Sequence, residues 1–333
     1  MNTPPSSHLD PTSTTASDGS RADQKQPQAD APERVRAAGE RALVLGGAGS
    51  TGHAWEIGVI AGLFEAGLDL TGADLTIGTS AGSTVAAQIT SGLRPTELLA
   101  AIIDAASQPL SRAVGSDRDR APTGPAANYM AWSHAIIASA ADAPDMRRRL
   151  GAAALELEAA SDGSGQARWR DIVAARLPSR HWPRQPVLIT AVDAITGEPV
   201  VFDRHSGIDL VDAVAASTSN GYGGPYRIGD NRYINGGYRR NENADLAGGY
   251  ARVVVLSPFG GRSRHPLEWG MHLTKQVDEL RAGGSSVETI VPESDSEHLF
   301  GSNAMELSLR PPAARAGYDQ GRALAAQLTE FWR

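Results

Sequence analysis

The chain reads as an α/β protein, three layers built on a central, mostly parallel sheet with a partly helical cap insertion. Three observations carry this reading. Short apolar runs end abruptly in glycine, and the first two are each followed by a segment with helical spacing. Beyond an irregular middle stretch, strand-like and helix-like segments recur to the end of the chain. With 41% hydrophobic residues over 333, one large domain can build a sizeable core.

Residues 1–38 are rich in Pro, Ser, Thr, Asp and Gln and nearly free of large apolar groups. Such a segment cannot bury enough surface to offset its ordering entropy, so it reads as a disordered tail. Residues 39–333 read as the folded domain. "RALVLGG" is the first strand; "GHAWEIGVIAGLFEAG" is a helix with Ala54, Ile57, Ile60, Leu63 and Phe64 on one face. "ADLTIGTSAGSTVAAQITSG" repeats the theme: a strand, a glycine turn at 78–82, then a helix carrying Val85 and Ile89. Residues 104–165 mix Pro/Gly breaks with short amphipathic pieces and read as the cap. Strands follow at "PVLITAVDA" and "EPVVFD", a helix at "DLVDAVAAS", and strands at "RYIN" and "ARVVVLSP". "PLEWGMHLTKQVDELRAG" reads as one helix, "VETIVP" as a strand, and a last helix runs from about Pro312 to Phe331.

Composition removes several function classes. The net charge is −7, with no basic footprint for nucleic acid. There are no cysteines, hence no disulfide, thiolate metal site or Cys nucleophile. No cluster has metal-ligand spacing, no apolar run reaches bilayer length, and the N-terminus lacks the order of a secretory signal. A cytoplasmic protein with no metal or cofactor is expected. "DMRRRL" at 145–150 could touch anionic head groups at a membrane surface, although a solvated helix face accounts for it more simply. Nothing in the sequence sets the oligomeric state.

"LVLGGAGSTGHAW" places Gly47, Gly49 and Gly52 between a strand and a helix. One reading is a dinucleotide-binding fingerprint in an NAD(P)-dependent oxidoreductase, but that fold wants an acid closing the second strand. Here "DLTIG" ends in Gly78, and Asp69 and Asp74 lie before it. The other reading is a loop of backbone amides at a helix start, able to hold an oxyanion. "GTSAG" then supplies G-x-S-x-G at Gly78, Ser80 and Gly82, a strand-to-helix turn that projects Ser80 as a nucleophile. An N-cap serine in a tight turn is the plainer account of Ser80. A Ser-His-Asp enzyme would also need a late histidine; His265, His272 and His298 are present, none in a distinctive loop.

The glycine loop at 46–52, "GTSAG" and "NGGYRRNENADLA" together resemble the patatin-like phospholipase family. The resemblance implies a Ser–Asp dyad without histidine, acting on lipid or other acyl esters and needing no metal or cofactor. It assigns Ser80 as nucleophile, the amides of Gly47, Ala48 and Gly49 as oxyanion hole, and position 235 as the acid in an Asp-Gly-Gly turn. The sequence has Asn235-Gly236-Gly237 instead. An amide cannot take the serine proton, so a poor hydrolase is expected as written. Asn235 is then an engineered substitution, a natural loss leaving a binding or scaffold protein, or a latent aspartate made by Asn-Gly deamidation. Asp230 and Glu242 are the nearest alternative acids, and neither is spaced to replace it. Asn243, Ala244 and Asp245 support the turn, the aromatic, glycine-rich stretch 217–234 is placed to line the site, and Asp193 with Glu198 marks a hairpin.

Overall fold

A computed structural model describes residues 39–107, 125–161 and 163–333, together with Ala31. The expected tail lies outside the described residues except for Ala31, as does 108–124 of the expected cap.

The sheet has eight strands: β1 (Arg41–Leu45), β2 (Leu75–Gly78), β3 (Val187–Asp193), β4 (Pro199–Phe202), β5 (Tyr226–Ile228), β6 (Asn231–Asn235), β7 (Arg252–Leu256) and β8 (Ser286–Ile290). Its order is β5-β6-β3-β2-β1-β7-β8, with β4 also paired to β3. β3, β2, β1, β7 and β8 run parallel; β4 and β6 pair antiparallel with β3, and β5 pairs antiparallel with β6. The parallel strands read as continuous apolar runs because both faces are covered. Alternate residues feed opposite cores. Leu43, Leu45, Val254 and Leu256 join one, while Ala42, Val44, Val253 and Val255 join the other.

Nine helices flank the sheet among the described residues: α1 (Gly49–Glu65), α2 (Ala81–Ile89), α3 (Pro95–Ser107), α4 (Pro125–Ser139), α5 (Ala143–Ala159), α6 (Ser164–Arg176), α7 (Leu210–Thr218), α8 (Leu273–Ala282) and α9 (Arg310–Trp332). The three-layer α/β class is therefore as expected. α1 departs from simple amphipathicity, being buried continuously from Thr51 to Leu63. The crossing of α1 and α9 is close because glycines stand on both helices. A methyl added at Gly58 or Gly62 would run into the Ala314 or Tyr318 carbonyl oxygen. Trp55 Nε1–H donates to Gln320 Oε1 across the same crossing, at 3.1 Å.

Three segments differ from the sequence expectation. Residues 104–107 belong to α3, whose Leu98 and Ile102 enter the main core, so the described cap is α4 and α5. Ile137, Met146, Leu150 and Ala154 of that cap pack with Val192 and Ile234 in a cluster of their own. The span 266–283 is not one helix: a 3₁₀ turn at Leu267–Trp269 ends in left-handed Gly270, and α8 starts at Leu273. Part of the aromatic stretch is strand β5, which pairs with β6. The 193–198 hairpin is present, with Asp193 Oδ1 accepting from the Ile195 and Thr196 amides.

Candidate active site

The site stands where the parallel strands end. β2 stops at Gly78, Thr79 follows, and Ser80 turns the chain at φ 53° and ψ −118° before α2 begins. Among the described non-glycine residues, only Ser80 and Asn243 have positive φ. Strain of this kind costs on the order of 1–3 kcal/mol and persists only where surroundings enforce it. The enforcement is steric and polar. A methyl at Gly82 would run into the Leu45 carbonyl, and one at Gly78 would approach Ser83 Cα to 2.6 Å. Ser80 N–H donates to Ser217 Oγ at 2.9 Å, and the Ser80 carbonyl accepts from Ser83 N–H and Oγ–H at 2.9 and 2.6 Å.

Register brings position 235 to the serine. Gly78 pairs with Ile189 on β3, and Asn235 pairs with Ala191 two residues further along. The Asn235 side chain has one orientation that satisfies its neighbours. Gly237 N–H can only donate, so the atom it meets at 2.8 Å is Oδ1. Nδ2 therefore faces Ser80 and donates to Oγ at 2.8 Å. Gly236 packs on Thr190, whose hydroxyl donates to Thr79 Oγ1 at 3.1 Å. Buried Asn243, left-handed at φ 55°, joins turn and elbow by donating to Thr79 Oγ1 at 2.9 Å and to the Arg240 carbonyl at 2.7 Å. Arg239 grips Asp245 in the same turn. Asn243 and Asp245 thus sit where a support for the turn should be.

The glycine loop corrects one expectation. Gly47 N–H donates to the Asn241 carbonyl at 3.1 Å, so it is unavailable to a substrate. The amides of Ala48 and Gly49 donate to no group among the described residues, and they stand at the start of α1, where backbone donors and the helix dipole favour negative charge. Gly47 backs the serine: a methyl there would lie 3.1 Å from Ser80 Cβ.

No acid or base hydrogen-bonds Ser80 among the described residues. Asp230 is exposed in the β5–β6 turn. Glu242 is buried and accepts from Ser257 Oγ–H at 2.7 Å, Asn241 Nδ2 at 3.0 Å and Gln276 Nε2 at 3.3 Å. His265 pairs with Ser263 and is lowered to about 4 by burial and the Arg264 charge; His298 pairs with the Asp295 carbonyl. Asp74 accepts from the amides of Glu40 and Arg41, at the end of β1 away from the glycine loop, and Asp69 from Thr71. Neither is placed to hold a ribose. No group of three or more His, Cys, Asp and Glu side chains among the described residues could hold a metal. In "DMRRRL", Arg149 and Arg148 pair with Asp145 while Arg147 donates to the Gly197 carbonyl, which accounts for the patch as a helix face.

Sequence reasoning missed Ser217, Asn241 and Thr190. Each is an ordinary polar residue in an unremarkable stretch, and only tertiary pairing gives it a role. The loop beyond Ser217 runs towards the cap, where the rings of Tyr222, Tyr129 and Trp132 meet at centroid distances of 5.8–6.4 Å. Tyr129 O–H and Tyr238 O–H lie 3.0 Å apart, and Tyr238 donates to the Asn220 carbonyl at 2.6 Å, joining cap, loop and the Asn235 turn.

The sequence model of the patatin-like phospholipases matches residues 43–247, more than half of the chain. The chain belongs to the patatin-like phospholipase family. A comparison with curated proteins found no match. The matched span takes in the patatin-like glycine loop, the elbow and the Asn235 turn, which are the elements that meet in the site. The family is one of lipid acyl hydrolases, and no described helix of this member is long and apolar enough to cross a membrane.

Proposed function

We propose that this patatin-like chain is a serine acyl hydrolase or acyltransferase scaffold for ester or thioester substrates, with Ser80 as the nucleophile. The amides of Ala48 and Gly49 would hold the oxyanion. Position 235 is the proton-acceptor position, occupied by a residue that cannot accept the proton. As Ser80 Oγ bonds to the acyl carbon, its proton must leave. A carboxylate at 235 would take it and return it to the departing alkoxide or thiolate. Water or another acceptor would then release the acyl group by the reverse proton route.

One observation carries this reading: the Asn235–Ser80 hydrogen bond runs from Nδ2 to Oγ, the reverse of what a base would make. Asn235 holds the nucleophile's position while occupying one of its lone pairs. As written, the chain binds an ester more readily than it turns one over. Lipid esters are the first substrate class to test; a metabolite ester, a lactone and a carrier-bound acyl chain share the same reacting group.

The same geometry favours a second reading, the latent aspartate. Replacing Nδ2 by oxygen would keep the Gly237 contact and turn the Ser80 contact into an acceptor. Succinimide closure needs the Gly236 nitrogen to reach the Asn235 side-chain carbon. The Asn235–Gly237 bond and the packing of Gly236 on Thr190 oppose that movement, so conversion should be slow in the folded chain. A mass shift of Tyr233–Arg239 that grows with storage, in step with ester hydrolysis, is the expected sign of it.

A fluorophosphonate probe tests the nucleophile. Labelling on the Ser80 peptide is expected in Asn235→Asp and absent in Ser80→Ala/Asn235→Asp. No labelling in either the parent chain or Asn235→Asp would refute the enzyme reading and leave a binding or scaffold protein.

A further inference from the structure

Below the glycine loop, four helices bring together charged groups that the acyl chemistry does not use. His53, in the second turn of α1, faces Gln88 of α2, with Nε2 and Oε1 2.7 Å apart. Gln88 Nε2 donates to the carbonyl of Arg176, the last residue of α6, at 2.8 Å. Arg310, the first residue of α9, places Nη2 3.4 Å from His53 Nδ1. A guanidinium only donates, so Nδ1 is the acceptor and the imidazole proton sits on Nε2, aimed at Gln88. Burial first, and the Arg310 charge second, lower His53 to about 3, which keeps it neutral beside the arginine.

The two guanidiniums lack what other arginines in the fold have. Arg232 is matched to Glu158, Arg239 to Asp245 and Arg240 to Glu279. Neither Arg310 nor Arg176 makes an ion pair with a carboxylate among the described residues. Arg310 Nε–H is buried and donates to nothing among the described residues, while the Arg176 guanidinium lies over the Trp169 ring at 5.4 Å. Arg310 is partly buried and Arg176 is exposed at the edge of the cluster, and the Arg176 charge adds to the pressure on Arg310. An unpartnered buried donor on a cation is costly, and an anion with several acceptor oxygens would relieve it. The start of α9 contributes its dipole but few amides, because Pro311 and Pro312 have no N–H. Recognition at this place therefore falls to the guanidinium forks, which suit the oxygens of phosphate.

We propose that Arg310 and Arg176, braced by His53 and Gln88, form a binding site for a phosphate-type anion. Gln88 lies eight residues beyond Ser80 along α2, about 12 Å at 1.5 Å per residue. That separation suits the head group of an ester held at Ser80, and equally a free phosphate acting from the side. The site stands independently of the acyl-hydrolase reading.

The experiment is a titration of the full chain with inorganic phosphate against chloride at equal ionic strength, read by calorimetry and by thermal unfolding. Saturable one-site binding is expected. It should weaken about tenfold or more in Arg310→Gln and in Arg176→Gln, the loss of a charge-assisted hydrogen bond. Arg149→Gln, on the far cap helix and already paired with Asp145, should bind as the parent does. Arg176 is exposed, so its variant keeps the test readable if Arg310→Gln unfolds. Absence of saturable binding in the parent, or parent-like binding in Arg176→Gln, overturns the site.

A second arm, in the Asn235→Asp background, names the source of the phosphate. If Arg176→Gln raises KM for a short-chain phosphatidate but not for the matching diacylglycerol, the anion is a substrate head group. If both KM values stay put while phosphate binding is lost, it is a free anion. Should Asn235→Asp show no turnover, the acyl-hydrolase reading fails and the phosphate titration still decides the site.

Discussion

Asn235→Asp should convert this protein into a measurable esterase, and the size of the gain follows from the geometry. In a Ser-His-Asp triad, exchanging the acid for its amide costs about 10⁴-fold although the histidine base remains. Here no histidine among the described residues hydrogen-bonds Ser80, so the whole loss falls on position 235, and 10⁴-fold, roughly 5.4 kcal/mol, is the floor. A misplaced hydrogen bond alone is worth only about 0.5–1.5 kcal/mol, too little to account for such a gap. The replacement is nearly isosteric. Oδ1 keeps the Gly237 N–H at 2.8 Å, and Oδ2 takes the place of Nδ2 at 2.8 Å from Ser80 Oγ. Ser217 and Ser83 hold the elbow in both forms.

The assay is initial-rate hydrolysis of a short-chain nitrophenyl ester, with intact mass measured on the same sample. Mass matters because deamidation mimics the mutation. If the amide form is slower by about 10⁴, a one-in-a-hundred fraction of aspartate would supply roughly a hundredfold more activity than all the asparagine chains. A gain below about tenfold in a folded Asn235→Asp chain of verified mass would refute the proton-acceptor assignment.

Two further outcomes concern the scaffold. Glu56 is fully buried, and burial, only partly offset by the Gly46 amide and with the Glu242 charge behind it, pushes its pKa well above the ordinary carboxylate value. The folded chain therefore holds a proton that the unfolded chain releases above about 4.5, and stability falls as pH rises towards the folded value. Denaturant midpoints should show Glu56→Gln losing this fall, about 1.4 kcal/mol per pH unit across that window, and an unchanged slope would refute it. Gly62→Ala should destabilise although alanine favours a helix by up to about 1 kcal/mol, because overpacking against a backbone carbonyl costs about 1–3 kcal/mol. A higher urea midpoint in Gly62→Ala would contradict the close crossing of α1 and α9.

The elbow and the Asn235 turn were legible because their constraints are local. Gly78 and Gly82 mark a turn too tight for a side chain, and Asn-Gly-Gly follows directly from a short strand. The strands β1, β2, β3 and β7 were legible as apolar runs bounded by glycine or proline. What escaped was set by distance along the chain. Ser217 meets Ser80 across 137 residues, and Arg310 meets His53 across 257. Gly47 could not be excluded from the oxyanion hole without knowing that the Asn241 carbonyl accepts its proton. β5 was hidden in a glycine-rich stretch because its pairing with β6, not its propensity, makes it a strand. The span 266–283 has helical periodicity, but Gly270 in the left-handed region divides it.

The neighbours of β1 set the order in which this protein can be completed on the ribosome. β1 is flanked by β2, which emerges soon after it, and by β7, which lies beyond residue 247, where the family match ends. α9, which sheathes the helix behind the glycine loop, follows later than β7 and β8 in the chain. A chain released at 247 would hold every residue of the proposed catalytic group, yet leave one edge of β1 unpaired and α1 bare on one side. Nucleophile and glycine loop thus precede their supports along the chain, so catalytic competence should wait for β7 and α9 to dock.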